Sequence, residues 1–408
     1  MTSDLLNLLL VVAAAAAAPL LGSALNRLVK VPIVVFEIVL GLVLGPSILG
    51  WITIGHLTDT LANFGLAMLF FLAGNEIDFA GIAGRPMRRA GIGWLISLVV
   101  GILVGILLSP DAVTGVFVGI CLTSTALGTI MPALRDAGEL TTPFGRAVTA
   151  VGAVGEFGPL LAISLFLSGR STVTAGIVLI AFAVVSGAAI WLASRGSHRW
   201  FHRIVTATLH TSGQFAVRFV IFVLAALVVL SIALGLDMLL GAFAAGILCR
   251  VLLGGASESD REAIDGKLEA VGFGFLVPIF FVNTGITFDL KSLLTNPHVL
   301  LLLPIFLVLF LIVRGLPATL AAPHGSTRAD RGSMLLFGGT ALPIIVAVTG
   351  IGLQTHSLTS GTAAALVGAG MLSVLLFPLF ALVLRRRSTD GGLRTPDIGA
   401  DAAAIDEG

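Results

Sequence analysis

The chain has 408 residues, 57% hydrophobic and 11% charged, with a net charge of +1 and a mean hydropathy of +1.08. Soluble domains carry about 25% charged residues, so a soluble enzyme, a nucleic-acid binder and a disordered chain are excluded together, and nucleic acid is not an expected partner. Apolar runs near the roughly 20 residues that a bilayer span requires follow one another almost from end to end.

In chain order these runs predict thirteen helices, near 5–25, 32–50, 59–79, 90–109, 111–134, 144–168, 171–193, 214–235, 236–253, 266–287, 296–321, 332–353 and 359–384. Helices are expected because lipid leaves no partner for a free backbone N–H or C=O, and the alternation of a membrane-barrel strand is missing. The first run holds Asp4 and has no Lys or Arg before Arg27, so it reads as a retained helix, not a signal peptide. With these boundaries, 20 basic residues fall in one set of alternate loops and two, Arg170 and Lys291, in the other. The positive-inside rule then puts the N-terminus outside and the C-terminus in the cytoplasm, in a plasma membrane. The loop 194–213, with His198, His202 and His210, reads as an anchor on anionic headgroups, with pH sensing as the alternative. Residues 1–385 are expected to form the transmembrane domain, and 386–408 a disordered cytoplasmic tail. Cys121 and Cys249 lie in apolar runs, and no dinucleotide or P-loop motif and no H-E-x-x-H pair occurs. Neither a cofactor nor an enzymatic activity is expected.

Charges stranded in lipid are costly and so informative. Glu156 is the midpoint of the sixth predicted helix, and Arg314 lies within the eleventh. They read either as a structural ion pair or as a cation-binding carboxylate with the arginine as partner or competitor. Glu37 and Glu76 are candidate acids of an inner cavity, with pairing to cytoplasmic arginines as the alternative. Two helices look interrupted: the fifth at Thr123, Ser124 and Thr125 with Pro132 following, and the twelfth at Gly338, Gly339 and Thr340 with Pro343 following. Matching interruptions point to inverted repeats around a midplane site, here helices two to six and nine to thirteen.

Five stretches then carry a resemblance: Pro32 to Ser47, enclosing Glu37 and Gly41; Leu72 to Asp78; Ser124-Thr125-Ala126 with Gly138-Glu139-Leu140 beyond; Leu240 to Gly246; and Phe280 to Gly285. In order and spacing the chain resembles the monovalent cation:proton antiporter-2 family of sodium/hydrogen-exchanger-like transporters, including Kef-type membrane domains. The resemblance implies an all-α membrane protein of about thirteen helices, with a dimerisation half, a mobile core half and two crossed, unwound helices. It puts the ion-binding acid at Glu156, the unwound segments at Thr123–Thr125 and near Thr340, and the basic partner at Arg314. The family usually carries Asn-Asp, Asp-Asp or Gln-Asp at the site, whereas this chain reads Gly155-Glu156.

The expectation is therefore electroneutral exchange of Na+ or K+ for H+ by alternating access around Glu156, in a homodimer. Thr123, Ser124 and Thr125 would supply further oxygens and Thr340 would help at the crossing. A potassium-efflux, channel-like system or a transport-silent sensor, governed by a separate cytoplasmic regulatory subunit, is the alternative.

Overall fold

The computed structural model describes residues 2–25, 31–53, 55–77, 79–167, 170–195, 214–254 and 257–392, and among them no strand occurs. Each apolar run forms helix, as a chain that must bond its backbone internally requires. The helices are α1 (Thr2–Leu25), α2 (Ile33–Leu44), α3 (His56–Glu76), α4 (Arg85–Leu108), α5 (Ala112–Asp136, interrupted), α6 (Pro143–Phe166) and α7 (Thr172–Arg195). After them come α8 (Phe215–Ala233), α9 (Met238–Leu253), α10 (Glu258–Thr287), α11 (Pro297–Ala321), α12 (Arg328–Gln354, interrupted) and α13 (Ser360–Gly392). Eleven are long and apolar enough to cross a membrane; α2 and α9, with 12 and 16 residues, are shorter. At 1.5 Å per residue those two measure about 18 and 24 Å, against a hydrocarbon core of roughly 30 Å.

Helix boundaries differ from those expected where a charged stretch reads as loop. The sequence reading starts α10 at 266, but the helix begins at Glu258: the Ser257 hydroxyl accepts the Asp260 N–H, and Ile264 and Leu268 bury one face of an otherwise charged stretch. The last helix continues to Gly392, past the expected boundary at 385. Asp78, the histidines at 198, 202 and 210, and the tail from 393 lie outside the described residues.

Hydrogen bonds between distant segments sort the helix ends into two faces. On one, Arg385 from the end of α13 meets Glu139 between α5 and α6 and Asp330 at the start of α12, while Arg89 of α4 reaches the Ala322 carbonyl just after α11. On the other, Asn7 of α1 bonds Thr53, Thr114 of α5 bonds the Ser357 carbonyl, and Ser47 bonds the Phe288 carbonyl. These contacts follow the in-and-out alternation expected from the loop charges.

Two glycine crossings make the frame. Between lipid-embedded helices apolar side chains gain little over lipid, so close contact depends on small residues. A Cβ on Gly41 of α2 would lie 2.0 Å from the Val282 carbonyl oxygen of α10, and one on Gly285 would lie 2.0 Å from the Ile38 carbonyl oxygen. Likewise, a Cβ on Gly246 of α9 would lie 2.1 Å from the Phe71 carbonyl oxygen of α3, and one on Gly74 would lie 2.3 Å from that of Phe243. The partner sits three residues before the facing glycine in every case. The exchange of α2 with α9 and of α3 with α10 is the relation expected of two five-helix repeats.

Candidate ion-binding site

The interruption of α5 lies at residues 123–126, between helical segments Ala112–Leu122 and Leu127–Asp136. That of α12 lies at 340–342, between Arg328–Gly339 and Pro343–Gln354. Pro132 sits inside the second segment of α5, so the proline is not the cause of the break. Pro343, by contrast, opens the second segment of α12, where its missing N–H costs nothing.

Released backbone groups find partners across the crossing. The Ala126 N–H donates to the Thr340 carbonyl at 2.7 Å, and the Thr125 N–H to the Gly155 carbonyl of α6 at 3.0 Å. In the matching place on the other repeat, the Ala341 N–H donates to the Ser373 hydroxyl of α13 at 3.0 Å. The hydroxyls of Thr123, Ser124 and Thr340 donate back to the carbonyls of Ile120, Cys121 and Leu336. Their lone pairs stay available, because a hydroxyl has one proton to give and two pairs to accept with. Thr125 differs: its hydroxyl donates across the crossing to the Gly338 carbonyl at 2.8 Å and accepts from Arg314 Nε at 2.8 Å.

Glu156, on α6, is buried, 3% exposed, and its carboxylate faces the start of the second α5 segment. Its Oε1 accepts the Leu127 N–H at 3.2 Å, while Oε2 has no hydrogen-bond partner. The arrangement sets an acid against the positive end of a half-helix.

Arg314 is fully buried in a π-helical turn of α11, Phe310–Gly315. Such wide turns are frequent at functional sites. Its Nη2 donates to the Val151 carbonyl of α6 at 2.7 Å, and Nη1 is without a partner. No Arg314–Glu156 ion pair is formed among the described residues. The structural ion pair considered from sequence is therefore absent; the guanidinium ties the α5 break to α6 instead. Gly155 is what permits this. A Cβ there would lie 2.4 Å from Thr125 Oγ1 and 2.7 Å from Arg314 Nη2. The space left by the family's usual amide or carboxylate is filled by the threonine hydroxyl and the guanidinium.

The fold thus brings together Glu156, Thr123, Ser124, Thr125, Thr340 and Arg314. Glu37, on α2, is buried and makes no hydrogen bond or ion pair among the described residues. Glu76, at the end of α3, lies within electrostatic reach of Glu156, Arg135, Arg250, Asp265 and Glu269. Sequence reasoning did not single out the groups around the crossing: the Val151 and Gly338 carbonyls, the Leu127 amide and Ser373. It also passed over the pairing of Arg385 with Glu139 and Asp330, in which the guanidinium stands 4.4 Å from the Phe144 ring centre. The signal available for that cluster was Glu139 within one of the resembling stretches.

Residues 12–382 match the sodium/hydrogen exchanger transmembrane family. The chain belongs to that family. It is a family of transporters, and with eleven long apolar helices the protein is an integral, multi-pass membrane protein. The "Putative Na(+)/H(+) antiporter YjbQ" of Bacillus subtilis is 25% identical over 88% of this chain and 60% of its own length. For the "Na(+)/H(+)-K(+) antiporter GerN" of Bacillus cereus the identity is 25%, over 85% of this chain and 88% of that one. A "Glutathione-regulated potassium-efflux system protein KefC" of Klebsiella pneumoniae is 27% identical over 95% of this chain and 60% of its own length, in keeping with the Kef-type resemblance. The chain thus spans about three-fifths of two of these relatives. Among solved structures, the sodium proton antiporter MjNhaP1 from Methanocaldococcus jannaschii superposes with a TM-score of 0.67 over 96% of this chain and 99% of that one, at 16% identity. This likeness is one of fold.

Proposed function

We propose that the protein exchanges a monovalent cation, Na+ or K+, for H+ across the plasma membrane, one for one, with Glu156 as the shared binding group. The observation that carries this reading is the bare Oε2 of a buried carboxylate facing a broken span. Buried polar atoms rarely go unpaired, and a proton or a cation satisfies this one equally. A hard cation needs several oxygens; the hydroxyls of Thr123, Ser124 and Thr125 lie within the break, with Thr340 closing the crossing from α12.

Either ligand neutralises Glu156 and lets the site cross the barrier, whereas the bare carboxylate is held back by its charge. Arg314 cannot surrender its proton, so the site cycles a single charge and the exchange is electroneutral. The N-terminus lies outside and the C-terminus in the cytoplasm, as the loop charges favour. A homodimer completes the proposal on the strength of the resemblance. Glu37 and Glu76 serve as acids of the inner approach.

The test is reconstitution into proteoliposomes with an internal pH dye. Cation addition should drive proton movement in the wild type, and Glu156→Gln should abolish it; full activity in the variant would remove Glu156 from the mechanism. Competition for one carboxylate also means that lowering the pH raises the cation concentration needed for half-maximal rate. Initial rates should not respond to an imposed membrane potential, and a response would exclude one-for-one exchange. The KefC relative favours a second reading, potassium efflux under a separate regulatory subunit, which would give current without a pH change.

A further inference from the structure

Away from the crossing, on the face that carries Arg385, a cavity of about 510 Å³ opens between α4, the end of α11 and the start of α12. Its ionisable lining is basic: Arg89, His324 and Arg331. Arg89 is held in the wall, with Nη1 donating to the Ala322 carbonyl at 3.3 Å and Nη2 3.4 Å from His324 Nε2. Among the described residues neither Arg89 nor Arg331 has a carboxylate within ion-pair distance; Asp330, next in sequence, is committed to Arg385. This contrasts with Arg385, which takes two acids.

Apart from Thr319, the remaining wall is apolar. Ile92 and Leu320 line the same cavity and are 49% and 47% exposed, on helices that cross the membrane. Exposed apolar side chains beside guanidiniums that have no carboxylate partner are the two halves of a phospholipid's own chemistry. Basic pockets between membrane helices bind anionic headgroups, and arginine matches phosphate with paired N–H donors. At about 30 Å³ per water in liquid, the cavity has the volume of roughly seventeen waters, well beyond a bare phosphate and suited to a glycerophosphate.

We infer that this cavity binds the phosphate headgroup of an anionic membrane phospholipid between Arg89 and Arg331, with His324 at its rim and an acyl chain along Ile92 and Leu320. The proposal does not depend on ion exchange. Its bearing on the site is through the connection: residues 322–327 join the helix that carries Arg314 to the helix that breaks at Thr340, so an occupied cavity ties both to the bilayer surface.

The test is native mass spectrometry of the full chain in detergent, titrated with phosphatidylglycerol and, separately, with zwitterionic phosphatidylcholine. One phosphatidylglycerol should be retained in preference to phosphatidylcholine. The double variant Arg89→Gln/Arg331→Gln should weaken that binding by about thirtyfold, roughly fivefold for each basic side chain near an anionic surface. Arg146→Gln, an exposed arginine outside the cavity, should leave it unchanged. Should the double variant fail to fold, the single Arg331→Gln at an exposed position should still lose about fivefold. Wild-type affinity in a folded variant, or equal retention of the two lipids, would overturn the proposal. Displacement of the lipid by millimolar inorganic phosphate would overturn it too, making the cavity a site for soluble anions.

Discussion

Two kinds of helix crossing stand side by side in this protein. Where α2 meets α10 and α9 meets α3, backbone lies on backbone, glycine against carbonyl, with no side chain between. Where α5 meets α12, the helices unwind and hydrogen bonds join them, Ala126 to Thr340 and Thr125 to Gly338, with Arg314 of α11 bonded to Thr125 as well. Both are solutions for a medium in which apolar burial holds helices together only weakly. The first spends its contacts on close packing and leaves nothing for a ligand. In the second, regular helix is given up for hydrogen bonds between segments, and in return a carboxylate oxygen and a guanidinium nitrogen are left unpartnered.

The sharpest way to break the comparison is to put a side chain into the glycine joint. Gly246→Val sets a Cβ against the Phe71 carbonyl, where both sides are backbone and neither can give way. It should cost on the order of 3 kcal/mol or more, read as loss of monodisperse protein and a fall in melting temperature. Gly41→Val should match it if the two crossings are equivalent; tolerance of one and not the other would dissolve the symmetry.

At the polar crossing the same kind of change meets side chains that can shift. Gly155→Asn should cost about 2 kcal/mol by pushing Thr125 and Arg314 apart, and should slow exchange with Glu156 intact. Unchanged melting and faster exchange would mean that the space is spare. Thr125→Val keeps the volume but removes both the donor to Gly338 and the acceptor for Arg314. A loss of about 1–2 kcal/mol is expected, with Thr125→Ser restoring most of it; equal melting of the two variants would deny the hydroxyl its role.

The smallest effect belongs to the outer cluster. Arg385 is part-exposed and screened by water, so Arg385→Gln should cost about 1 kcal/mol or less. Combined with Asp330→Asn the loss should be less than additive. Strict additivity in thermal unfolding would show that the two side chains act independently.

The spans, their alternation and the stranded charges were legible without a structure, because a bilayer forces them into the open. A residue such as Glu156, with no other charge for nine positions on either side and only small polar groups among the apolar ones, cannot pass for a loop residue. The two breaks were also visible, though their cause was not. Pro132 lies inside the second helical segment, and the interruption is held by the Thr125 and Ala126 amides bonding to the Gly155 and Thr340 carbonyls. Nor did composition distinguish the charged start of α10 from loop, since only burial of Ile264 and Leu268 marks its helical face.

By itself, then, the chain determined what must be helix and which polar groups lie too deep to be accidental, both being consequences of the solvent it lives in. Which of those groups meet was left to the tertiary structure. That Arg314 takes Thr125 and the Val151 carbonyl in place of Glu156, and that Gly155 exists to admit it, depends on partners 163 and 189 residues away from the arginine. A hydrogen bond is decided by angles and tenths of an ångström between elements whose crossing no local pattern encodes.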